Sequence, residues 1–346
     1  MSHPQEPGFD RAPFPVFPAR ADFDDLFAER ALPPPPPRPR DRIWVHVLLL
    51  VLTFASTTLV GGCHYLSFEQ AFQDLPAMGG QESRDWLAGL FSQPSFYLNG
   101  LWYSLTVLGI LGCHEMGHYV ACLRWGVDAT RPYFLPAPLP LTGTLGAFIR
   151  IRSRIPSKVA LFDIGIAGPI AGFVVAVPAL LAGLALSEVV ALPVDQSDLV
   201  SLGEPLLFRF AAWLIFGDVP DGYSINMHPM AFASWFGLLA TALNLFPVAQ
   251  LDGGHISYAV LGRRSIWVTL AMVLVAVGLA SFSPSWIAWT VMILLMLVVV
   301  GPRHPPTLDD DTPLDRTRLW LALFALFMLV VCFTPAPIEP FVTGGG

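Results

Sequence analysis

Seven apolar stretches, each close to the length of a bilayer-spanning helix, recur along this chain at about 43–62, 97–123, 159–186, 229–250, 265–282, 285–301 and 317–334. A helix needs roughly 20 mostly apolar residues to cross the hydrocarbon core, and tilt or local thinning accommodates shorter and longer ones. In lipid a helix satisfies its backbone polar groups internally, so such stretches have one economical fold. The expectation is an all-α polytopic membrane protein with about seven transmembrane helices. Composition agrees, with 54% hydrophobic and 13% charged residues, a balance foreign to a water-soluble globular domain. A net charge of -7, with Lys158 the sole lysine, leaves no basic surface for nucleic acid. Cys63, Cys113, Cys122 and Cys332 form no short-spaced disulfide framework.

The segments between the apolar stretches carry the orientation. Residues 1–42 are rich in proline, include "PPPPPRPR", and lack the apolar core of a signal peptide, so they read as a disordered, partly polyproline tail. Basic residues near helix ends are retained on the cytoplasmic side. Arg38, Arg40 and Arg42 precede the first span, which places the tail inside. The loop 63–96 is acidic, with Glu69, Asp74, Glu82 and Asp85 against Arg84, whereas the next connection holds Arg124, Arg131, Arg150, Arg152, Arg154 and Lys158. The alternation continues through an acid-rich 187–228, through Arg263 and Arg264, and through Arg303, Arg316 and Arg318. The N-terminus is expected in the cytoplasm and the C-terminus outside. The ends of the second and fourth spans then share the cytoplasmic half of the membrane.

Those two ends carry the chemistry. "HEMGH" at 114–118 puts three ionisable groups at membrane depth, where each is costly and by default marks a functional site. Two histidines four apart project from one helix face and suit a single zinc ion, and Glu115 beside them is placed as general base for a water activated by that ion. Lone histidines such as His46 and His64 are instead expected to satisfy local hydrogen bonds. Catalytic zinc takes a third protein ligand and keeps a position open. Asp163 and Asp252 are the main candidates. Asp252 lies in "NLFPVAQLDGGH", where Pro247 stops or kinks the fourth span and Gly253 and Gly254 let the backbone approach another element. Irregular backbone at this depth survives only where protein or a wet cavity surrounds it, a setting that suits a carboxylate ligand. Asp163 follows Lys158 by about one turn and reads as an interfacial pairing residue. His255 reads as a supporting or interfacial residue.

Three motifs in order, "HEMGH" at 114–118, "GTLGAFIRIRSRIPSKVALFDIGIAGPIAGF" at 143–173 and "NLFPVAQLDGG" at 244–254, resemble the site-2 protease family of intramembrane zinc metalloproteases over roughly residues 97–262. The resemblance implies one catalytic zinc held by His114, His118 and Asp252, Glu115 as the catalytic base, and Asn244 positioning or polarising the scissile carbonyl. It implies peptide-bond hydrolysis within or near a transmembrane segment of a membrane protein substrate, single-pass or otherwise. It also implies a bacterial plasma membrane, with a plastid membrane as the other candidate. The family often has a proline directly after the asparagine, whereas here Pro247 comes three residues later. No stretch is long and polar enough for a PDZ or CBS module.

The chain thus divides into a tail (1–42), a first transmembrane helix with its outer loop (43–96), an intramembrane metalloprotease core (97–262), and additional transmembrane helices with a short outer tail (263–346). "PLTGTLGAFIRIRS" at 140–153 fits an ordinary cytoplasmic loop equally with a short re-entrant β-hairpin near the active site that adds a strand to substrate; the resemblance favours the hairpin. Gly168 and Gly172, four apart, read as packing residues, with Pro169 adding a kink. "EPLLFRFAAWLIFG" at 204–217 is too short to span and reads as an interfacial or re-entrant helix. Two other functions fit parts of this pattern, a transmembrane metal transporter and a catalytically silent protease-like scaffold. No internal repeat of the transporter kind is visible.

Overall fold

The computed structural model describes residues 41–71, 80–137, 139–193, 200–248, 250–302 and 304–340. The expected proline-rich tail lies outside the described residues up to position 40. From Asp41 onward the chain forms one compact unit, mostly helical. Helix α1 (Ile43–Gln70) is followed by the short α2 (Gly80–Phe91), by α3 (Pro94–Arg124), and by strands β1 (Tyr133–Pro136) and β2 (Thr144–Phe148). Next come α4 (Lys158–Ala185), β3 (Glu188–Ala191), β4 (Val200–Leu202), α5 (Leu206–Phe216), β5 (Tyr223–Asn226) and α6 (Pro229–Asn244). Helices α7 (Asp252–Leu261), α8 (Ser265–Phe282), α9 (Ser285–Val300) and α10 (Arg316–Cys332) complete the helical part, with β6 (Ile338–Pro340) after them.

Among the described residues, four runs are long and apolar enough to cross a membrane: α1, α3, α4 and the continuous stretch Asp252–Phe282 formed by α7 and α8. The other expected spans form helices of 16, 16 and 17 residues, α6, α9 and α10. Helix α6 stops at Asn244, short of the expected 250, because Pro247 has no N–H to return to the carbonyl of Leu243. The chain turns instead, with Phe246 N donating to Leu243 O (3.2 Å) and Leu251 N to Val248 O (3.0 Å). Large apolar side chains stand exposed on the outer helices, including Trp267, Leu274, Phe282 and Val298 at 72, 73, 88 and 82%. A surface of that kind requires an apolar surround, and the chain is a multi-pass membrane protein.

Helix α4 is the centre of the bundle, packed against α3, α6 and α7. Apolar burial drives little association in lipid, so close packing must do it, and small residues permit the approach. A Cβ on Gly117 of α3 would sit 2.4 Å from Ala167 O of α4, and one on Gly183 would sit 2.3 Å from Ala231 N of α6. Around these contacts Tyr103, Leu180, Leu184, Trp235 and Leu238 are fully buried. Helix α4 continues through Pro169 and Pro178 as one element, capped at its start by Ser157, whose hydroxyl accepts from Ala160 N.

An antiparallel hairpin lies between α3 and α4, pairing Tyr133 with Phe148 and Pro136 with Thr144. Its first strand falls upstream of the expected 140–153 stretch. The ladder extends through an Ala129–Ile151 bridge. His46 ties the hairpin to α1, with its ring stacked on Tyr133 and Nδ1 3.1 Å from Pro132 O, and His64 meets Leu141 O at 3.0 Å. Elsewhere β3 pairs with β5 and β4 with β6, either side of α5 in sequence. These pairs were not foreseen, since strands of three or four residues carry too little alternation to register.

Candidate metal centre

One turn of α3 carries the first two donors. His114, Glu115 and His118 are each less than one-tenth exposed. His118 Nδ1 lies 2.7 Å from Ile164 O of α4, and because a carbonyl only accepts, Nδ1 carries the proton and donates. That fixes the tautomer and leaves the lone pair on Nε2. Helix α4 also makes room for the rings: a Cβ on Gly168 would fall 2.1 Å from His118 Nε2, and one on Gly172 would fall 3.2 Å from His114 Cβ. These glycines do pack helices together, as expected, but they pack directly on the two imidazoles.

The break after α6 supplies the third donor. Asp252 is the first residue of α7, and Gly253 behind it passes so close to Leu245 that a Cβ would lie 1.9 Å from the Leu245 carbonyl oxygen. Only glycine fits there. Asp252 Oδ2 then stands 3.1 Å from His114 Nε2 and 3.3 Å from His118 Nε2, while the two Nε2 atoms are 3.1 Å apart. Donors at about 2.0–2.1 Å from a tetrahedral zinc are separated by about 3.3 Å, so this triangle has the edge lengths of a zinc face. Asp252 Oδ2 is buried and has no hydrogen-bond partner among protein groups. A carboxylate oxygen held against two nitrogens in this way is satisfied by a shared cation, and His114, His118 and Asp252 together fit zinc.

Two more groups border the triangle. Glu115 Oε1 is 4.0 Å from His114 Nε2, and its carboxylate meets the backbone amide of Ile149, the residue after β2. Asn244, the last residue of α6, holds Nδ2 3.4 Å from His114 Nε2. The structure does not bring in the other candidates. Asp163 is engaged by Arg318 of α10 through Nε (2.8 Å) and Nη2 (2.6 Å), and Trp125 donates to it at 3.2 Å. Its expected pairing role is met by Arg318, 155 residues away, where Lys158 had been the nearer partner in sequence. His255 points its Nδ1 at His304 Nε2, 2.7 Å away. Sequence reasoning missed the Ile164 carbonyl, since no residue-type signal marks a backbone acceptor, and the seating role of Gly168, whose spacing looks the same for any helix contact.

A helical membrane bundle holding a two-histidine, one-carboxylate triangle beside a glutamate defines the class of membrane-embedded metallohydrolases. Residues 102–283, more than half the chain, match peptidase family M50, and the chain belongs to that family, in agreement with the site-2 protease resemblance. Among its relatives, the probable zinc metalloprotease EGY2, chloroplastic, of Oryza sativa subsp. indica is 29% identical over 263 residues, 74% of this chain and 47% of the relative. The probable zinc metalloprotease EGY1, chloroplastic, of Arabidopsis thaliana is 32% identical over 239 residues, 66% of this chain and 42% of the relative. The chain spans less than half the length of these relatives.

Proposed function

We propose that this chain is an intramembrane zinc metalloprotease that hydrolyses a peptide bond within or near a transmembrane segment of a membrane protein. The observation that carries this reading is the triangle of His114, His118 and Asp252 with Glu115 at its edge. Zinc held there by His114, His118 and Asp252 would supply a Lewis acid and would lower the pKa of a bound water to about 7. Glu115 takes the proton of the attacking water at its carboxylate and returns it to the leaving amine. Asn244, at the free end of α6, donates from Nδ2 to the developing oxyanion of the scissile carbonyl. Ile164 O holds the His118 proton and thereby keeps Nε2 a donor to the ion throughout. A substrate helix must unwind to expose its peptide bond, and the strand beside Glu115 offers an edge on which the extended segment is held.

The seven-span arrangement, with a cytoplasmic N-terminus and an outside C-terminus, is part of this reading, in a bacterial plasma membrane or a plastid membrane. What supports the sidedness is the pairing of distant segments. Leu308 and Asp309 donate to Ile155 O and Pro156 O, joining two arginine-rich connections, while β4 and β6 join the acid-rich 187–228 segment to the C-terminal one. Short α6, α9 and α10 then cross as part of the bundle, with tilt and thinning taking up the difference. The catalytic core over 97–262 and the accessory helices over 263–346 remain the proposed division, with the family match running on through α8.

The test begins with metal. The purified chain should hold about one zinc, lost or severely weakened in His114→Ala and Asp252→Ala. Glu115→Gln should keep the zinc and lower cleavage of a transmembrane reporter by about 10² to 10⁴-fold. A well-folded wild type without zinc sinks the mechanism in favour of a silent scaffold. Metal passage undiminished by Glu115→Gln, with no cleavage by wild type, makes the chain a transporter.

A further inference from the structure

A cleft of about 700 Å³ opens beside the metal centre, along the continuation of the strand that the mechanism uses to hold substrate. One wall is the strand-like stretch 148–155, which begins at the backbone amide facing Glu115; the other includes Gln250 and His255, either side of Asp252, together with His304 and Leu308. The cleft therefore adjoins the site through the neighbours of Glu115 and Asp252.

Among the described residues, its backbone wall has one edge at Ile151 with no strand hydrogen-bonded to it. Thr130 N donates to Arg150 O (3.0 Å) and Arg152 N to Asp128 O (2.8 Å), so residues 150 and 152 turn their amides toward 128–130. In an antiparallel ladder the intervening residue, Ile151, turns its N–H and C=O to the opposite edge. The far end of that edge is already taken, since Leu308 N bonds Ile155 O and Asp309 bridges Ser157 in parallel. The segment 304–310 is a strap, fastened on the other side to α7 by His255–His304 and by Tyr258 Oη donating to Asp310 (2.7 Å). It comes from the α9–α10 connection, beyond the residues that match the family.

Charge distinguishes this cleft. Among the described residues lining it are Arg150 and Arg154, both exposed, and no carboxylate. Burial pushes the pKa of His304 down, so this ring adds no positive charge to the cleft wall at neutral pH. Burial would raise Asp310, but hydrogen bonds from Thr307 and Tyr258 hold it below the usual carboxylate range and turn its charge into the strap. Arg152, by contrast, is paired with Asp41.

We propose that this cleft binds the flank of the substrate that leaves the membrane beside the metal centre, in extended form, and that Arg150 and Arg154 select flanks carrying acidic side chains. The inference rests on the protease reading and adds a substrate class to it. Flanks on the basic side of membranes are usually Lys- and Arg-rich. Two guanidinium groups with no ion pair among the described residues would repel those and admit the minority that are acidic, which is specificity by exclusion as much as by attraction.

The experiment uses the full chain in nanodiscs of phosphatidylcholine and three fluorescein-labelled decapeptides that alternate valine with glutamate, glutamine or lysine, followed by fluorescence anisotropy. The glutamate peptide should bind at least about five-fold more tightly than the glutamine peptide, and the lysine peptide weakest. Arg150→Gln with Arg154→Gln should erase the preference without shifting the melting temperature, because both side chains are exposed. Glu115→Gln should keep the preference, so failure of the protease chemistry is read separately in zinc content and cleavage. Equal or absent binding of the three peptides, or a preference that survives the double substitution, overturns the proposal. An arginine dependence seen only in phosphatidylglycerol nanodiscs also overturns it, by assigning the arginines to lipid headgroups.

Discussion

Helices α4 and α8 are both almost wholly apolar and both carry glycine, yet they meet their surroundings in opposite ways. On α4, glycines face a neighbouring helix at distances no Cβ would allow, and the opposing surface holds His114 and His118. On α8, Gly278 has nothing within 4 Å of where a Cβ would stand, and Trp267 and Leu274 are nearly three-quarters exposed. The contact of α8 with α9 includes one polar tie, Thr290 Oγ1 to Ala276 O at 2.9 Å. The difference teaches that apolar composition says a helix belongs in lipid, whereas the placement of its smallest residues says whether protein or lipid lies against it.

Substitutions sharpen this contrast. The largest effect is expected from Gly168→Ala, whose methyl would displace the His118 imidazole; zinc affinity, measured by competition with a chelator, should fall by about 10 to 100-fold, the usual cost of mis-orienting a ligand. Unchanged affinity would mean that α3 and α4 separate freely, and the comparison would break. Next is Arg318→Ala, which strips Asp163 of a two-bond partner at sites about a quarter exposed. Thermal unfolding in detergent should show a loss of about 1–2 kcal/mol, discounted for partial screening, with zinc content unchanged. Loss of zinc there would return Asp163 to the list of ligands. The smallest effect belongs to Gly278→Ala, expected to be neutral or stabilising by up to about 1 kcal/mol, since alanine is the better helix former and meets no neighbour. A clear destabilisation would place a protein partner, not lipid, against α8.

The candidate donors were legible for a physical reason: ionisable groups at membrane depth are too costly to be incidental, and a four-residue spacing on a helix makes His114 and His118 neighbours in any fold. Asp252 stood out because few acids lie near the membrane and because Pro247 and the glycines announced a break. The partner of Asp163 was hidden, since an ion pair across 155 residues leaves no trace in local sequence. The hairpin was placed with its first strand too late, because prolines and glycines mark where a chain turns but not which residues pair across the turn.

By itself the sequence determined what depends on local spacing and on the cost of burial: apolar helices, the alternation of basic and acidic connections along the chain, and one face of α3 loaded with chemistry. Tertiary structure decided what depends on distances between elements. It set Asp252 Oδ2 at 3.1 and 3.3 Å from the two imidazoles, seated His118 against Gly168, and drew a strap from the α9–α10 connection across the cleft. Periodicity constrains residues within one element, whereas convergence of α3, α4 and α7 on one point is a property of how backbones approach, and only packing settles that.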